Sequence, residues 1–201
     1  MTNPASQAIE AAKRAIRSEN RRRINAMDLA ARAAADADIR KALSEWSPIR
    51  GKGVVCGFLP LPGEPDLRPV LRDFLNQGMR IGVPEVVPSP EPTLRILEVM
   101  TASDLDTTMA SHLGTRVPSA GRVLRSEEVS TVLVPGMAFD RRGGRIGRGR
   151  GFFDAFLHSV KGHACSIGVA YEVQIVPKVP FDAHDEPVDC LCTERGIVRV
   201  G

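Results

Sequence analysis

Glycine and arginine alternate in one short stretch of this 201-residue chain, which comprises Arg145, Gly147, Arg148, Gly149, Arg150 and Gly151. Glycines let successive backbone N–H groups approach phosphate oxygens, and the guanidinium groups between them offer paired donors to the same oxygens. A helix predicted to begin near Phe152 would point its positive end at the same place. The stretch matches neither of the two common nucleotide-binding glycine patterns. It nevertheless predicts a phosphate site, with a solvated flexible loop as the alternative.

One acidic residue, Asp154, falls in the first turn of that predicted helix. A carboxylate at this position stabilises the helix dipole, which is a purely structural role. The same carboxylate could instead hold a Mg²⁺ ion that bridges phosphate groups. The spacing alone leaves both interpretations open.

The histidines and cysteines form no recognised catalytic or metal-binding pattern. Cys190 and Cys192 are separated by one residue, unlike the Cys-x-x-Cys spacing of redox and zinc sites. The four histidines have no metal-ligand spacing, and the sequence contains no Gly-x-Ser-x-Gly turn. We therefore expect neither transition-metal nor acyl-enzyme chemistry, and we expect the four cysteines to be reduced thiols.

The composition is that of an ordinary soluble globular protein, with 43% apolar and 25% charged residues. No apolar stretch approaches the roughly 20 residues that cross a bilayer, and the N-terminus lacks the apolar core of a secretory signal. We expect a single domain over residues 1–201, located in the cytoplasm and not associated with membranes.

Positive charge is concentrated in one place. The net charge is +3, and five arginines lie between Asp140 and Gly151, so the rest of the chain carries a net charge of −2. A nucleic-acid-binding protein usually spreads basic residues over much of one surface and offers aromatic rings to the bases. The pattern favours a small, highly anionic ligand. Nucleic-acid binding through residues 21–23 and the arginine-rich stretch is the weaker alternative.

Helical and strand patterns alternate along the chain. Helical periodicity extends from about Ala5 to Trp46, with Asp28 placed to begin a second helix. Further on, helical spacing recurs at Val70–Leu75 and 152–160, and the segment at 88–92 is a proline-rich connector. The predicted strands cover 53–59, a segment from Arg80, 94–99, 131–135, 164–170, 188–193 and 197–200. The sequence therefore predicts an α/β fold, an open and largely parallel sheet flanked by helices on both faces, with two N-terminal helices and ligands at the carboxyl ends of the strands.

Residues 135–154, PGMAFDRRGGRIGRGRGFFD, resemble the signature of the 5-formyltetrahydrofolate cyclo-ligase family, also called methenyltetrahydrofolate synthetases. Other segments occur in the family's order. Lys13 and Arg17 resemble its N-terminal Lys-x-x-x-Arg pair, the Leu59–Asp66 loop resembles its substrate loop, and Gln174 followed by residues 184–189 resembles its C-terminal block. The resemblance extends over nearly the whole chain, and the glycine–arginine signature is its most specific part.

The resemblance implies an ATP- and Mg²⁺-dependent enzyme that cyclises 5-formyltetrahydrofolate to 5,10-methenyltetrahydrofolate and releases ADP and phosphate. Phosphorylation of the formyl oxygen makes chemical sense, because that oxygen cannot leave as hydroxide when a neighbouring amine attacks. Phosphoryl transfer needs positioning and positive charge rather than a covalent nucleophile. The implied partners are small molecules, a reduced folate and ATP, and the protein is expected to be a monomer or a weak dimer.

The resemblance also assigns residues to ATP and to the metal. Lys13 and Arg17, four residues apart on one helix face, would bind ATP phosphates together with the glycine–arginine stretch. As an isolated pair they would be ordinary surface cations. Asp154 and Asp185 resemble the family's Mg²⁺ carboxylates, and their alternatives are a helix-start carboxylate and a loop carboxylate.

For the folate, the resemblance points to Leu61, Glu64, Asp66 and Phe152. Glu64 could accept hydrogen bonds from the amino-pyrimidinone edge of a pterin, whereas Asp66 has an alternative role as the N-cap of the next helix. The residues expected at the reacting formyl group are Arg148, Arg150, Phe152 and Phe153.

The chain departs from the family at two places. Phe152 and Phe153 replace two tyrosines of the usual Gly-Tyr-Tyr-Asp motif, which removes two hydroxyl groups. Residues 114–118, GTRVP, replace Gly-Ile-x-Glu-Pro, which removes a carboxylate. These losses leave a second interpretation open, a divergent paralogue that binds a nucleotide or another phosphate ligand without turning over folate.

Overall fold

The structure is a computed structural model that describes residues 4–51, 53–87, 93–110, 116–118 and 121–200. Two helices begin the chain, Pro4–Ala26 (α1) and Leu29–Glu45 (α2). Asp28 is the N-cap of α2, and its side chain accepts a hydrogen bond from the backbone N–H of Ala31 at 2.6 Å. The predicted break between two N-terminal helices is therefore confirmed.

Two further helices occur in the described residues, Arg68–Asn76 (α3) and Phe152–Val160 (α4). The strands, in chain order, are Val54–Cys56 (β1), Ile81–Val87 (β2), Thr93–Val99 (β3), Thr108–Ala110 (β4), Arg116–Pro118 (β5), Val123–Leu124 (β6), Val129–Val134 (β7), Ala138–Phe139 (β8), Arg145–Ile146 (β9), Cys165–Val169 (β10), Cys190–Thr193 (β11) and Gly196–Arg199 (β12). Within the described part of the chain, no helix is both long and apolar enough to cross a bilayer.

Eight of these strands form one sheet in the spatial order β12-β11-β10-β7-β1-β2-β3-β6. The five central strands from β11 to β2 are parallel, and β12, β3 and β6 join the sheet antiparallel. Two short hairpins, β4–β5 and β8–β9, lie outside it. The prediction of an open, largely parallel sheet is confirmed.

Helices cover both faces of the sheet, which is why its central strands are apolar on both sides. On one face, α2 and α3 pack through Ile39 and Leu71 onto Val55. On the opposite face, α4 packs through Phe156 onto Val54, the preceding residue of the same strand. The alternation along β1 thus divides the apolar side chains between two buried layers.

Two features of the fold differ from the sequence expectation. The first strand is three residues long rather than spanning 53–59, because the chain leaves the sheet after Cys56 and enters the Leu59–Asp66 loop. Residues 101–124, for which the sequence predicts no strand, contain the short strands β4, β5 and β6. The proline-rich connector at 88–92 and residues 114–115 of the divergent GTRVP segment lie outside the described residues.

Candidate active site

A cavity of about 880 Å³ opens at the carboxyl edge of the parallel strands. Its wall includes residues from α1, from the Leu59–Asp66 loop, from the glycine–arginine loop (residues 145–151) and from the segment around Asp185. Of the residues assigned to ligands by sequence, the cavity is lined by Lys13, Arg17, Leu61, Glu64, Arg145, Gly147, Arg148, Gly149, Arg150, Gly151, Phe152, Phe153, Asp154 and Asp185. The fold therefore gathers into one space residues that lie up to 172 positions apart in the sequence.

The glycine–arginine loop is held at both of its ends. The β8–β9 hairpin fixes its start, where the Met137 N–H donates to the carbonyl of Ile146 at 2.7 Å. Its end is the turn into α4, where Gly149 and Gly151 adopt φ values of +88° and +72°. A side chain at either position would be strained, so the loop needs glycine there. The first N–H groups of α4 follow directly, as the sequence predicted.

Lys13 and Asp185 form a largely buried ion pair across the cavity wall. The Lys13 Nζ lies 2.7 Å from one oxygen of the Asp185 carboxylate and 2.5 Å from the other. The two side chains are only 9% and 15% exposed. Asp185 also accepts the N–H of Asp182 at 2.7 Å. The pair therefore ties α1 to the segment that follows residue 180.

Arg145 and Asp154 form a second pair, between β9 and the first turn of α4. The Arg145 side chain is 2% exposed, and its Nε is buried without a hydrogen-bond partner among the described residues. The Asp154 Oδ1 also lies 3.4 Å from the backbone N–H of Glu186. The carboxylate of Asp154 is thus adjacent to the residue that follows Asp185, and the fold brings the two predicted metal-ligating segments together.

The donor set around these carboxylates fits one kind of metal site. The described residues contain no cluster of three or more histidine, cysteine or acidic side chains able to enclose a metal. Mg²⁺ typically takes one or two carboxylates and completes its shell with water and substrate phosphates. Asp154 and Asp185 fit that arrangement. They do not form the closed cage of a structural metal.

Glu64 and Arg148 link the Leu59–Asp66 loop to the glycine–arginine loop. The Glu64 Oε1 accepts from the Nε and a terminal nitrogen of Arg148 at 3.1 and 2.9 Å, and its Oε2 accepts the Leu61 N–H at 2.9 Å. Burial raises the pKa of Glu64, and the Arg148 guanidinium opposes part of that effect. A buried acceptor and an exposed cation therefore neutralise one another inside the cavity.

Asp66 does not line the cavity. Its carboxylate accepts hydrogen bonds from the backbone N–H of Arg68 at 3.0 Å and from the side chain of the same residue at 2.9 Å. Burial alone would raise the pKa of Asp66, but the hydrogen bonds from Arg68 outweigh it and lower the pKa. The residue that caps α3 is Leu67, so Asp66 stabilises the helix start from one position further out. Its predicted folate contact remains a prediction without support from this placement.

Phe152 and Phe153 are both partly buried and both line the cavity at the start of α4. Arg150 is exposed at the rim and has no ion pair among the described residues. Arg17 belongs to α1 and reaches the glycine–arginine loop, where its Nε donates to the carbonyl of Gly147 at 2.9 Å; its guanidinium also pairs with Glu10. The four cysteines are free thiols, as expected.

Sequence reasoning gave no positioning role to two buried amides, Asn20 and Gln174, that connect α1 with the segment leading into the glycine–arginine loop. Asn20, fully buried, donates to the carbonyls of Met137 at 3.1 Å and Gln174 at 2.9 Å. Gln174, 1% exposed, donates to the carbonyl of Gly136 at 2.8 Å. The available signal was the seven-residue spacing of Lys13 and Asn20, which places both on one face of α1.

Comparisons with known proteins identify the family of this chain. A family model described as the 5-formyltetrahydrofolate cyclo-ligase family matches residues 9–194. A Mycolicibacterium smegmatis protein named 5-formyltetrahydrofolate cyclo-ligase is 30% identical over 165 residues, covering 80% of this chain and 84% of its own length. The mouse protein of the same name is 24% identical over 194 residues, covering 92% of this chain and 95% of its own length.

Solved structures show the same similarity. The NMR structure of Aquifex aeolicus 5,10-methenyltetrahydrofolate synthetase superimposes with a TM-score of 0.79 at 29% identity, covering 94% of this chain and 92% of that one. A synthetase from Mycoplasma pneumoniae superimposes with a TM-score of 0.72 at 17% identity, covering 90% and 98% of the two chains, which shows a common fold.

Proposed function

Because the chain belongs to the 5-formyltetrahydrofolate cyclo-ligase family, we propose that its cavity converts 5-formyltetrahydrofolate to 5,10-methenyltetrahydrofolate while ATP is consumed to ADP and phosphate. The observation that carries the proposal is the convergence, in one cavity, of a glycine–arginine loop, the start of a helix and two carboxylates. That combination suits a triphosphate with its metal. The name of a related protein does not by itself identify such a site, whereas the residues that line this cavity support it.

The proposed reaction balances as one phosphoryl transfer followed by one cyclisation. The formyl oxygen attacks the terminal phosphorus of ATP, the bond to the ADP oxygen breaks, and ADP leaves. The neighbouring amine of the folate then attacks the activated formyl carbon and gives up its proton, and the carbon–oxygen bond breaks to release phosphate. The result is the methenyl bridge.

On this proposal, the triphosphate lies against the loop and α1. Lys13, Arg17 and Arg148 donate to its oxygens together with the free N–H groups at the start of α4. Asp154 and Asp185 would hold Mg²⁺, which supplies charge neutralisation and orientation of the phosphates when bound. Arg150, exposed at the rim, is available for the reacting phosphoryl group.

The folate is proposed to lie beside the triphosphate, with its pterin on Leu61 and Phe152 and its amino-pyrimidinone edge on Glu64. In the structure, Glu64 is paired with Arg148. Hydrogen bonding of Glu64 to a pterin would release Arg148 toward the phosphates. The groups proposed to bind the two substrates thus also neutralise each other, so the cavity buries no uncompensated charge at this pair.

Purified protein incubated with 5-formyltetrahydrofolate and MgATP tests the proposal through the ultraviolet absorbance of the methenyl product. We expect absorbance to rise in proportion to ADP released, and neither signal to appear without ATP. The alternative, a paralogue that binds nucleotide without folate turnover, is favoured by the missing hydroxyls at Phe152 and Phe153. Tight ATP binding without product would support that alternative and overturn the enzymatic proposal.

A further inference from the structure

The Leu59–Asp66 loop has few hydrogen bonds of its own. Its three prolines, Pro60, Pro62 and Pro65, have no backbone N–H to donate. Among its described backbone groups, one internal hydrogen bond joins the Glu64 N–H to the Leu61 carbonyl at 3.0 Å. Because the loop has so few internal hydrogen bonds, the position of Glu64 in the cavity wall depends on groups outside the loop.

A partly buried tether holds the end of this loop. The backbone N–H of Asp66 donates to the Asp36 Oδ1 at 3.2 Å, and the Tyr171 hydroxyl donates to the same oxygen at 2.9 Å. Asp36 belongs to α2, and Tyr171, 2% exposed, follows the carboxyl end of β10. Neither side chain lines the cavity.

The tether continues to the opposite side of the cavity. The Tyr171 N–H donates to the Gln174 Oε1 at 2.9 Å, and the Gln174 Nε2 donates to the Gly136 carbonyl at 2.8 Å. Gly136 lies two residues before Ala138, the first residue of the β8–β9 hairpin that leads into the glycine–arginine loop. Successive hydrogen bonds therefore connect the loop that carries Glu64 with the segment that leads into the phosphate-binding loop.

We propose that Tyr171 and Asp36 are positioning residues, which act through the Leu59–Asp66 loop to set where Glu64 meets the folate. This assignment rests on the proposed function, because it takes Glu64 as the folate contact. Burial raises the pKa of the Asp36 carboxyl, which accords with a group that depends on donated hydrogen bonds for its place in the fold.

The first test compares Tyr171→Phe with Ser166→Ala. The Phe variant keeps the buried ring and removes only the hydroxyl. Ser166 lies on β10, is 5% exposed, and its hydroxyl donates to the Asp189 carboxylate at 2.7 Å, so its variant loses the same kind of bond away from the cavity. We expect Tyr171→Phe to raise the KM and the Kd for folate about three- to tenfold. The KM for ATP and kcat should stay within about twofold, and Ser166→Ala should change none of these.

The second test separates the acceptor oxygen from its charge. Asp36→Asn retains a carbonyl oxygen for both donors, so the folate KM should stay within about threefold of wild type. Asp36→Ala removes the acceptor and should weaken folate binding at least as much as Tyr171→Phe does. Equal losses in the Asn and Ala variants would indicate a role for charge alone and overturn the tether.

A readout without substrate keeps this proposal separate from the proposed function. The amide of Asp66 should exchange hydrogen faster in Tyr171→Phe than in wild type, and at an unchanged rate in Ser166→Ala. Unchanged exchange at Asp66, or a folate Kd that moves no more than in Ser166→Ala, would overturn the positioning role. A wild-type protein that binds folate but forms no methenyl product would overturn the proposed reaction and leave the tether to be decided by exchange and Kd.

Discussion

Lys13 offers the sharpest test of the charge arrangement in the cavity. Lys13→Met keeps the length of the side chain and removes the cation that lies 2.7 and 2.5 Å from the two oxygens of Asp185. Breaking a buried pair by removing one member costs about 3–5 kcal/mol. Asp185 retains a hydrogen bond from the Asp182 N–H and borders an open cavity, so we expect a loss of about 2 kcal/mol. For a domain of this size that is a fall in Tm of about 4–8 °C.

The same substitution should weaken the binding of ATP. Loss of one charge-assisted hydrogen bond to a phosphate should raise the KM for ATP roughly tenfold or more. Lys41→Met is the matched control, since Lys41 is exposed on α2 and outside the cavity. Mg²⁺ should raise the Tm of Lys13→Met more than that of wild type, because Asp185 then has no competing cation.

A double variant completes the cycle. Lys13→Met combined with Asp185→Asn should regain most of the lost stability, because no uncompensated carboxylate remains, while ATP binding stays weak. Differential scanning fluorimetry and steady-state kinetics measure both effects. An ATP KM equal to that of Lys41→Met, or an equal Mg²⁺ response in variant and wild type, would refute the reasoning.

Three further outcomes are expected. Asp154→Asn should lower turnover by roughly tenfold or more and shift Mg²⁺ activation to higher Mg²⁺ concentration. The amide can still accept a hydrogen bond from Arg145 but carries no charge. A lower Tm with unchanged Mg²⁺ activation would contradict the metal role. Phe152→Tyr should leave turnover unchanged or raise it in steady-state kinetics, and a sharp loss would mean that the pocket is built around the phenyl ring. Burial raises the pKa of Glu64 above its ordinary value of 4.5, so the folded protein binds this proton more tightly than the unfolded chain does. The free energy of unfolding of the wild type therefore falls as the pH rises from 4.5 through the raised pKa. Urea unfolding measures the free energy of unfolding of Glu64→Gln and of wild type across that pH range. The value for the variant should rise relative to that for wild type as the pH increases, and a constant difference would contradict the burial argument.

Much of the fold could be predicted because its signals are local. Asp28 caps α2 through its own side chain, and α4 begins at Phe152 because Gly151 provides the positive φ that ends the loop. Strand positions follow from apolar runs. Strand direction does not, because the antiparallel pairing of β3 with β2, of β6 with β3 and of β12 with β11 depends on packing that no periodicity encodes.

The sequence could predict which residues belong to the candidate site, but not which cation pairs with which carboxylate. The resemblance to the family points to the candidate cations and carboxylates, but which cation neutralises which acid is decided by the fold. Lys13 and Asp185 are 172 residues apart in the sequence, and Glu64 and Arg148 are 84 apart. Asp66 is the opposite case, because a neighbour two residues away, Arg68, holds its carboxylate outside the cavity.

The fate of the formyl oxygen tests the central claim most directly. 5-Formyltetrahydrofolate labelled with oxygen-18 in the formyl group is incubated with the protein and unlabelled MgATP, and the released phosphate is examined by mass spectrometry. If the cavity transfers a phosphoryl group to that oxygen, each phosphate formed during turnover will contain one labelled oxygen. Unlabelled phosphate formed alongside the methenyl product would contradict the account, since the formyl oxygen would then have left by another route.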